Sequence, residues 1–392
     1  MTYHFARIAA APTALLLVLV ACGGGGSGSG TDSGVLRVAL TDAPSCGYDN
    51  VNVTVQKVRV HLSGAASDTD AGWSEVVLSP PRRLDLLALS NGVLAELGQT
   101  SLPAGRYTQM RLVLVANDSN NPFANAVIPT GSTTEVALRT PSAQQSGLKM
   151  NVGLDIAADK LVDVVIDFDA CKSIVAAGAS GNYILKPVLS VIPRYASGVA
   201  GFVDSTVANG STSISVQHAG VVVKATAPDS AGKFILQPVA PGTYDLVLTA
   251  PSKVTTVIAG VRVTTDTATL INSSTTQLFL AGAGSGTAAG TVSSPISPID
   301  ATVRATQTLA NAARIEIVAR SVNATTGVYS YALPASAPMV ATFVSAQGPL
   351  AFAADATAGA KYSLEASSAG VTKAAGPITV TPGATLTNNF GF

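Results

Sequence analysis

Histidine is scarce in this chain of 392 residues, which contains three. His4 lies in the N-terminal segment before the apolar stretch, which leaves His61 and His218 far apart on separate predicted strands. One histidine per region gives little support to general acid–base catalysis. A Gly-x-Ser-x-Gly elbow, a His-Glu-x-x-His pair and a phosphate-binding loop are all absent from the sequence. We therefore predict no catalytic residues, no cofactor and a non-enzymatic protein; a hydrolase is the least favoured alternative.

Charged and aromatic residues are also few, at 12% and 5% of the chain. The 23 basic and 23 acidic residues balance, so no electrostatic footprint for nucleic acid is present. Trp73 is the only tryptophan. We interpret it, with Tyr48, Tyr107 and Tyr244, as a core or turn residue rather than as a surface for stacking sugars.

Cysteine is rare too, and the first of the three is the most informative residue. Cys22 ends the run Leu19-Val20-Ala21-Cys22, after the apolar stretch Ala9–Val20 and the positive charge of Arg7. This order of zones is typical of an export signal, and its apolar core is short for a membrane span. An uncleaved membrane anchor is the main alternative.

The run around Cys22 resembles the lipobox of bacterial lipoproteins. The resemblance implies that residues 1–21 are a signal peptide and that Cys22 becomes a lipidated N-terminus, anchored in the membrane of the cell envelope. Gly23 stands where Gram-negative lipoproteins retained in the inner membrane often have Asp, so the outer membrane is favoured. The side of the membrane stays open. Residues 22–34 then form the lipidated cysteine and a flexible Gly/Ser spacer.

Export to an oxidising compartment gives the other two cysteines, Cys46 and Cys171, a natural role. We predict that they form a disulfide, which would close a loop worth on the order of 4–5 kcal/mol in the chain-entropy model. Two free buried thiols are the alternative. A metal site is disfavoured, since neither cysteine has a histidine nearby in sequence.

Short strands separated by turn signals predict an all-β protein of tandem antiparallel β-sandwiches, one larger and two smaller. Val51–Leu62 changes its apolar phase, which indicates a β-bulge near Gln56-Lys57. Pro80-Pro81 is expected to end the strand Trp73–Leu78. Leu84–Leu97 is either a hairpin at Asn91-Gly92 or a short helical turn. Further predicted strands include Lys160–Phe168 and Tyr183–Ile192.

The predicted domains are a β-domain over 35–195, a sandwich over 198–280, a linker over 281–286 and a divergent second copy over 287–392. The repeat is weak but extends along the chain. Its aligned segments are Gly201-Phe202-Val203 with Gly290-Thr291-Val292, Gly232-Lys233-Phe234 with Gly327-Val328-Tyr329, and 260–272 with 376–388.

Two further resemblances concern these domains. Residues 35–193 resemble an uncharacterised lipoprotein domain, a domain-of-unknown-function family. The segments that carry this resemblance are Thr41-Asp42-Ala43-Pro44, Val51–His61, Leu84–Leu87, Leu102–Leu112 and Leu185-Lys186-Pro187. Residues 198–280 resemble carboxypeptidase regulatory-like domains, of the transthyretin-like or prealbumin-like type, through Gly201, Asp229–Phe234 and Val239–Leu246. The same small sandwich occurs in carbohydrate-binding-like folds, so a glycan enters as a candidate partner by analogy.

An acidic cluster is the remaining candidate for chemistry. Asp163, Asp167 and Asp169 are expected on one strand face, where Asp167 and Asp169 are weak Ca²⁺ candidates. Asp163 and Asp167 lie about 13 Å apart on a strand, too far for one ion. A solvated face is therefore the favoured interpretation, with no metal. The function predicted overall is a structural or interaction module tethered to a membrane; a carbohydrate- or peptide-binding surface protein is the alternative, with a glycan or an envelope protein as partner.

Overall fold

Strands make up 57% of the residues that the structure describes and helices 3%, which confirms the predicted all-β class. The structure, a computed structural model, describes residues 32–42, 47–141, 146–178, 181–344 and 350–392. The sheets are mainly antiparallel, but each sandwich also contains parallel pairs, such as β1 (Ser33–Asp42) with β9 (Leu161–Phe168).

The first sandwich covers residues 33–193. Its other strands are β2 Tyr48–His61, β3 Ser74–Asp85, β4 Ala95–Pro103, β5 Gly105–Leu114, β6 Ala126–Pro129, β7 Val136–Arg139, β8 Leu148–Ile156, β10 Ile174–Ala177, β11 Asn182–Leu185 and β12 Leu189–Pro193. One sheet has the order β12-β9-β1-β4; the other runs β10-β11-β7-β6-β2-β5-β8, with β3 paired to β2. Leu36, Val53, Tyr107 and Ile166 lie in the core, each at most 2% exposed. The helical elements described here are a 3-10 turn, Leu86–Leu89, and α1, Ala170–Ser173.

The bulge predicted in β2 is confirmed. The register of β2 against both β3 and β5 shifts between Val55 and Lys57. The expectation that Pro80-Pro81 ends the neighbouring strand is wrong, because β3 continues to Asp85. Its register jumps from Val77 to Arg82 opposite the bulge. The prolines therefore lie where the ladder is already interrupted and a missing N–H donor costs little.

The predicted strand Tyr183–Ile192 is two strands in different sheets. β11 ends at Leu185 and β12 begins at Leu189. Between them, Lys186 N donates to Ser173 O, and Val188 N donates to Ser173 Oγ. Pro187 has no N–H to donate, so the chain turns there from one sheet to the other.

The second and third sandwiches follow. The second contains β13 Gly198–Phe202, β14 Ser213–His218, β15 Val221–Thr226, β16 Lys233–Leu236, β17 Gly242–Thr249, β18 Thr256–Val263, β19 Ala268–Leu270 and a 3-10 turn Ser205–Val207. The third segment contains β20 Ser285–Ser293, β21 Ala301–Thr308, β22 Arg314–Ser321, β23 Val328–Pro334, β24 Met339–Thr342, β25 Ala353–Ala354, β26 Lys361–Ser368, β27 Val371–Thr379, β28 Thr385–Thr387 and β29 Phe390–Gly391.

These two sandwiches share one topology. The order β16-β13-β19 corresponds to β23-β20-β28, and β15-β14-β17-β18 corresponds to β22-β21-β26-β27. Gly201 pairs with Phe234 in one copy, and Gly290 pairs with Tyr329 in the other. A Cβ on either glycine would lie within 3.0 Å of the partner's ring. Small residues at both positions therefore let an aromatic ring cover the strand.

An insertion links the two copies. β24 adds to the second sandwich by parallel pairing with β18, and β25 pairs with β24. Phe343, Leu350 and Phe352 pack against the core of the second sandwich. The sheet of the second sandwich that contains β18 is thus extended by strands that lie, in sequence, within the third segment.

Candidate functional site

The predicted lipidation site and one predicted disulfide partner, Cys22 and Cys46, lie outside the described residues. Cys171 is in α1, next to Ala170. Ala170 N donates to Asp42 Oδ1 at 2.9 Å, so the end of β1 contacts the start of α1. Within the part of the chain that the structure describes, no helix is long and apolar enough to cross a membrane.

The acidic residues of the β9 region each contact a basic residue. Asp167 pairs with the Nζ of Lys224, and Asp163 pairs with Arg37. Asp169 lies after the end of β9, where it accepts from Lys172 N at 3.0 Å as the N-cap of α1 and lies 3.2 Å from Lys172 Nζ. Among the described residues, no group of three or more His, Cys, Asp or Glu side chains could hold a metal ion.

The expectation of a solvated face on β9 is wrong. Val165 shares that face with Asp163 and Asp167 and is fully buried. Lys224 of the second sandwich covers the face with a side chain that is 2% exposed, and the Asp167 side chain is 13% exposed. Two oppositely charged groups at this depth belong to an interface between sandwiches rather than to a hydrated surface.

A cavity of about 380 Å³ lies where the three sandwiches meet. The first sandwich contributes Asp169, the N-cap of α1, and Cys171 and Lys172 of α1. The second sandwich contributes residues of β14, β15 and the end of β17, and the third contributes residues of β20, β22 and β23. This volume falls in the range of small-molecule sites, roughly 300–1,000 Å³. A second cavity of about 150 Å³ also has Asp169 and Lys172 in its lining.

The charged centre of the larger cavity is built around Lys172. Its Nζ lies 3.2 Å from Asp169 Oδ2 and 3.7 Å from Glu316 Oε1. Burial disfavours the charged ammonium, but the two carboxylates outweigh burial and raise the pKa of Lys172. Gln217 fixes the backbone of Glu316, because Gln217 Nε2 donates to Glu316 O and Glu316 N donates to Gln217 Oε1, at 2.8 and 2.7 Å.

Several other polar side chains of the lining have no polar partner among the described residues. The hydroxyls of four lining serines form no hydrogen bond with another described residue: Ser213, Ser252, Ser285 and Ser330. Arg320 is exposed, and its guanidinium pairs with no carboxylate among the described residues. The sequence held one signal of this lining: polar Ser213, Ser215 and Gln217 alternate with apolar residues on β14, although Ser215 and Gln217 are buried.

Trp73 and His61 form a separate cluster on the outer face of the first sandwich. The Trp73 ring lies 4.5 Å from the guanidinium of Arg59 and 4.8 Å from that of Arg111. Trp73 Nε1 donates to Ser67 O, and the His61 ring contacts Ala71 O and Ser63 N. These bonds hold the β2–β3 loop, so the contacts of both side chains are structural.

Comparisons with known proteins concern mainly the first sandwich. Residues 33–187 match the family model described as "Domain of unknown function (DUF4382)", which confirms the resemblance of this region to a domain-of-unknown-function family. No curated protein matches the chain.

Solved structures give partial likenesses. A type II cohesin–X-dockerin complex from Acetivibrio cellulolyticus is 26% identical over 22% of this chain, with a TM-score of 0.19; this chain spans 58% of that one. The Bacillus anthracis TIE protein is 12% identical over 92% of this chain and 51% of its own, with a TM-score of 0.17. The major pilin subunit of Bacillus cereus is 12% identical over 92% of this chain and 99% of its own, with a TM-score of 0.14.

Proposed function

We propose that this protein is a non-enzymatic lipoprotein of the bacterial cell envelope, held in the membrane, by preference the outer membrane, through Cys22. Its three sandwiches act together as a structural or interaction module. One observation carries the proposal. The lipobox-like run that ends at Cys22 is followed by a Gly/Ser spacer, and the spacer leads to sandwiches that dock on one another.

Specific polar contacts support the docking of the sandwiches. The Asn91 side chain of the first sandwich donates to Lys233 O of the second and accepts from Ile235 N. Lys186 Nζ donates to Ile299 O of the third segment at 2.7 Å. Such contacts suit a protein that presents one binding or scaffolding surface, rather than independent modules on linkers.

The anchor is tested by fractionating a Gram-negative host that expresses the full chain. The wild type should be in the membrane fraction, with acyl chains on the peptide that begins at Cys22. Cys22→Ala should abolish the acylated peptide and lower the membrane-bound fraction severalfold, because durable anchoring needs the acyl chains. Ser27→Ala, in the spacer, is the control and should behave as the wild type.

Sorting between membranes provides a second readout. Gly23→Asp should keep the acylated peptide but move the protein toward the inner membrane. An unacylated wild-type chain, or a Cys22→Ala chain that stays fully membrane-bound, would overturn the anchor.

A disulfide between Cys46 and Cys171 belongs to the same proposal. Asp42 contacts Ala170, so the chain enters the segment before Cys46 beside the neighbour of Cys171. Position 46 is four residue steps from position 42, a reach of at most about 14 Å. Mass analysis of exported protein without reductant should find the linked peptides; two alkylatable thiols would contradict the bridge.

The second and third sandwiches are proposed to be carboxypeptidase regulatory-like modules with no catalytic role. Tyr244 OH donates to Ala240 O, four residues back, and so fixes the turn into β17. The Pro103 carbonyl accepts the same type of bond from Tyr107 OH in the first sandwich. A tyrosine hydroxyl that donates to the backbone a few residues upstream stabilises a turn in many β-sandwiches.

A further inference from the structure

The hydrogen-bond donors and acceptors of the cavity between the sandwiches limit the class of ligand that it can bind. Serine hydroxyls both donate and accept, and the four serines without side-chain partners come from the second and third sandwiches. Ser213 lies on β14, Ser252 follows β17, and Ser285 and Ser330 lie on β20 and β23. A ligand with several hydroxyl groups would use this capacity on more than one side.

The charged residues of the lining further limit the class of ligand. Lys172 is compensated by Asp169 and Glu316, and Glu316 also lies 3.6 Å from Arg304. Arg320 adds a guanidinium that no described carboxylate neutralises. A planar guanidinium suits a carboxylate, which it can bind through two parallel hydrogen bonds. The four charged lining residues sum to zero, so the preference for a carboxylate comes from Arg320, whose guanidinium has no carboxylate partner among the described residues.

We propose that this cavity binds a saccharide unit that carries one carboxylate, with Arg320 on the carboxylate and the serine hydroxyls on the ring hydroxyls. The proposal rests on the proposed function, since it gives the interaction module a ligand class. One guanidinium without a carboxylate partner matches a single carboxylate better than a polyphosphate, which needs several cationic partners. Among the described residues, Tyr331 is the only aromatic one in the lining. Its hydroxyl is committed to Val303 O, and its side chain is 4% exposed, so no open stacking surface for a nucleobase is offered.

The test titrates the detergent-solubilised full chain by calorimetry with three probes: glucuronate, its uncharged amide glucuronamide, and acetate. Glucuronate should bind about tenfold more tightly than glucuronamide, as expected for one charge-assisted contact. Acetate should not compete, because it lacks the hydroxyl groups.

Three variants locate the site. Arg320→Ala should remove the preference for glucuronate and leave the binding of glucuronamide unchanged. Ser213→Ala with Ser330→Ala should weaken both sugars. Arg262→Ala replaces an exposed arginine of the second sandwich that does not line the cavity, and it should bind as the wild type does.

Several outcomes would overturn the proposal: no heat with either sugar up to its solubility limit, acetate binding as tightly as glucuronate, or sugar binding that survives the Arg320 and serine variants. Membrane fractionation does not depend on this cavity. A failed titration beside an acylated Cys22 would therefore reject the ligand and leave the anchor standing.

Discussion

Asp42, at the end of β1, is a carboxyl group with no exposed surface. Burial is the main cause that raises its pKa well above the ordinary range; the bond from Ala170 N opposes the rise, and Asp167 and Asp169 add to it. The unfolded chain releases this proton near pH 4, whereas the folded protein keeps it to higher pH. The unfolded state therefore binds fewer protons between these two pKa values, and stability falls as pH rises through that window.

We expect Asp42→Asn to remove this pH dependence. The amide keeps an oxygen for the Ala170 bond and does not ionise. The unfolding free energy of the variant, relative to the wild type, should rise with pH above about 4, by at most about 1.4 kcal/mol per pH unit. Denaturant unfolding from pH 4 to 7 measures this difference. Asp266→Asn, at an exposed turn, is the control, and a difference for Asp42→Asn that stays constant with pH would contradict the argument.

Site residues differed in how far the sequence could predict them. The run ending at Cys22 is a local signal, so it pointed to an anchor without any knowledge of the fold. Ser213 and Arg320 carry no motif, and they line one cavity only because β14 and β22 meet across an interface. Asp169 was placed on the strand by alternation, but it caps α1 instead, since a helix start favours Asp at the N-cap.

At the scale of elements, features that depend on local sequence patterns were predicted correctly. Features that depend on pairing between distant strands were not. The phase change in β2 predicted its bulge because side chains alternate with a period of two. The continuation of β3 through Pro80-Pro81 depends on its position opposite that bulge, which the sequence of β3 does not contain. At Leu84–Leu97 the short helical turn is the alternative that forms, over Leu86–Leu89. Asn91 and Gly92 have positive φ and form a turn, but β4 pairs with β1 and β3 with β2, so the turn does not close a hairpin.

The internal repeat was also predicted from the sequence, but its alignment is off by one residue in one strand. The alignment set Asn272 against Asn388. In the structure, Phe202 N donates to Asn272 Oδ1, and the equivalent Thr291 N donates to Asn389 Oδ1. The third sandwich is therefore shifted by one residue at this strand, a change that sequence similarity over a degraded repeat does not resolve.

At the scale of the whole molecule, docking between sandwiches is what the sequence did not reveal. The polar face of β9 was predicted to be solvated, because a face buried by another sandwich can also carry polar residues when they find partners. Val247 and Val257 of the second sandwich pack with Leu309, Ile315 and Ala358 of the third segment. Together with the added strand β24, this contact makes the second and third sandwiches depend on each other.

The Lys224–Asp167 pair makes the docking of the first two sandwiches testable. Removing one partner of a buried ion pair leaves the other charge uncompensated, at a cost of about 3–5 kcal/mol. We expect Lys224→Met and Asp167→Asn each to lower the urea midpoint of unfolding and to speed protease cleavage in the 193–197 connection. The double variant should recover most of the loss, because it buries no lone charge. Lys361→Met, at an exposed lysine, is the matched control. If Lys224→Met costs no more than this control, the pair does not hold the two sandwiches together.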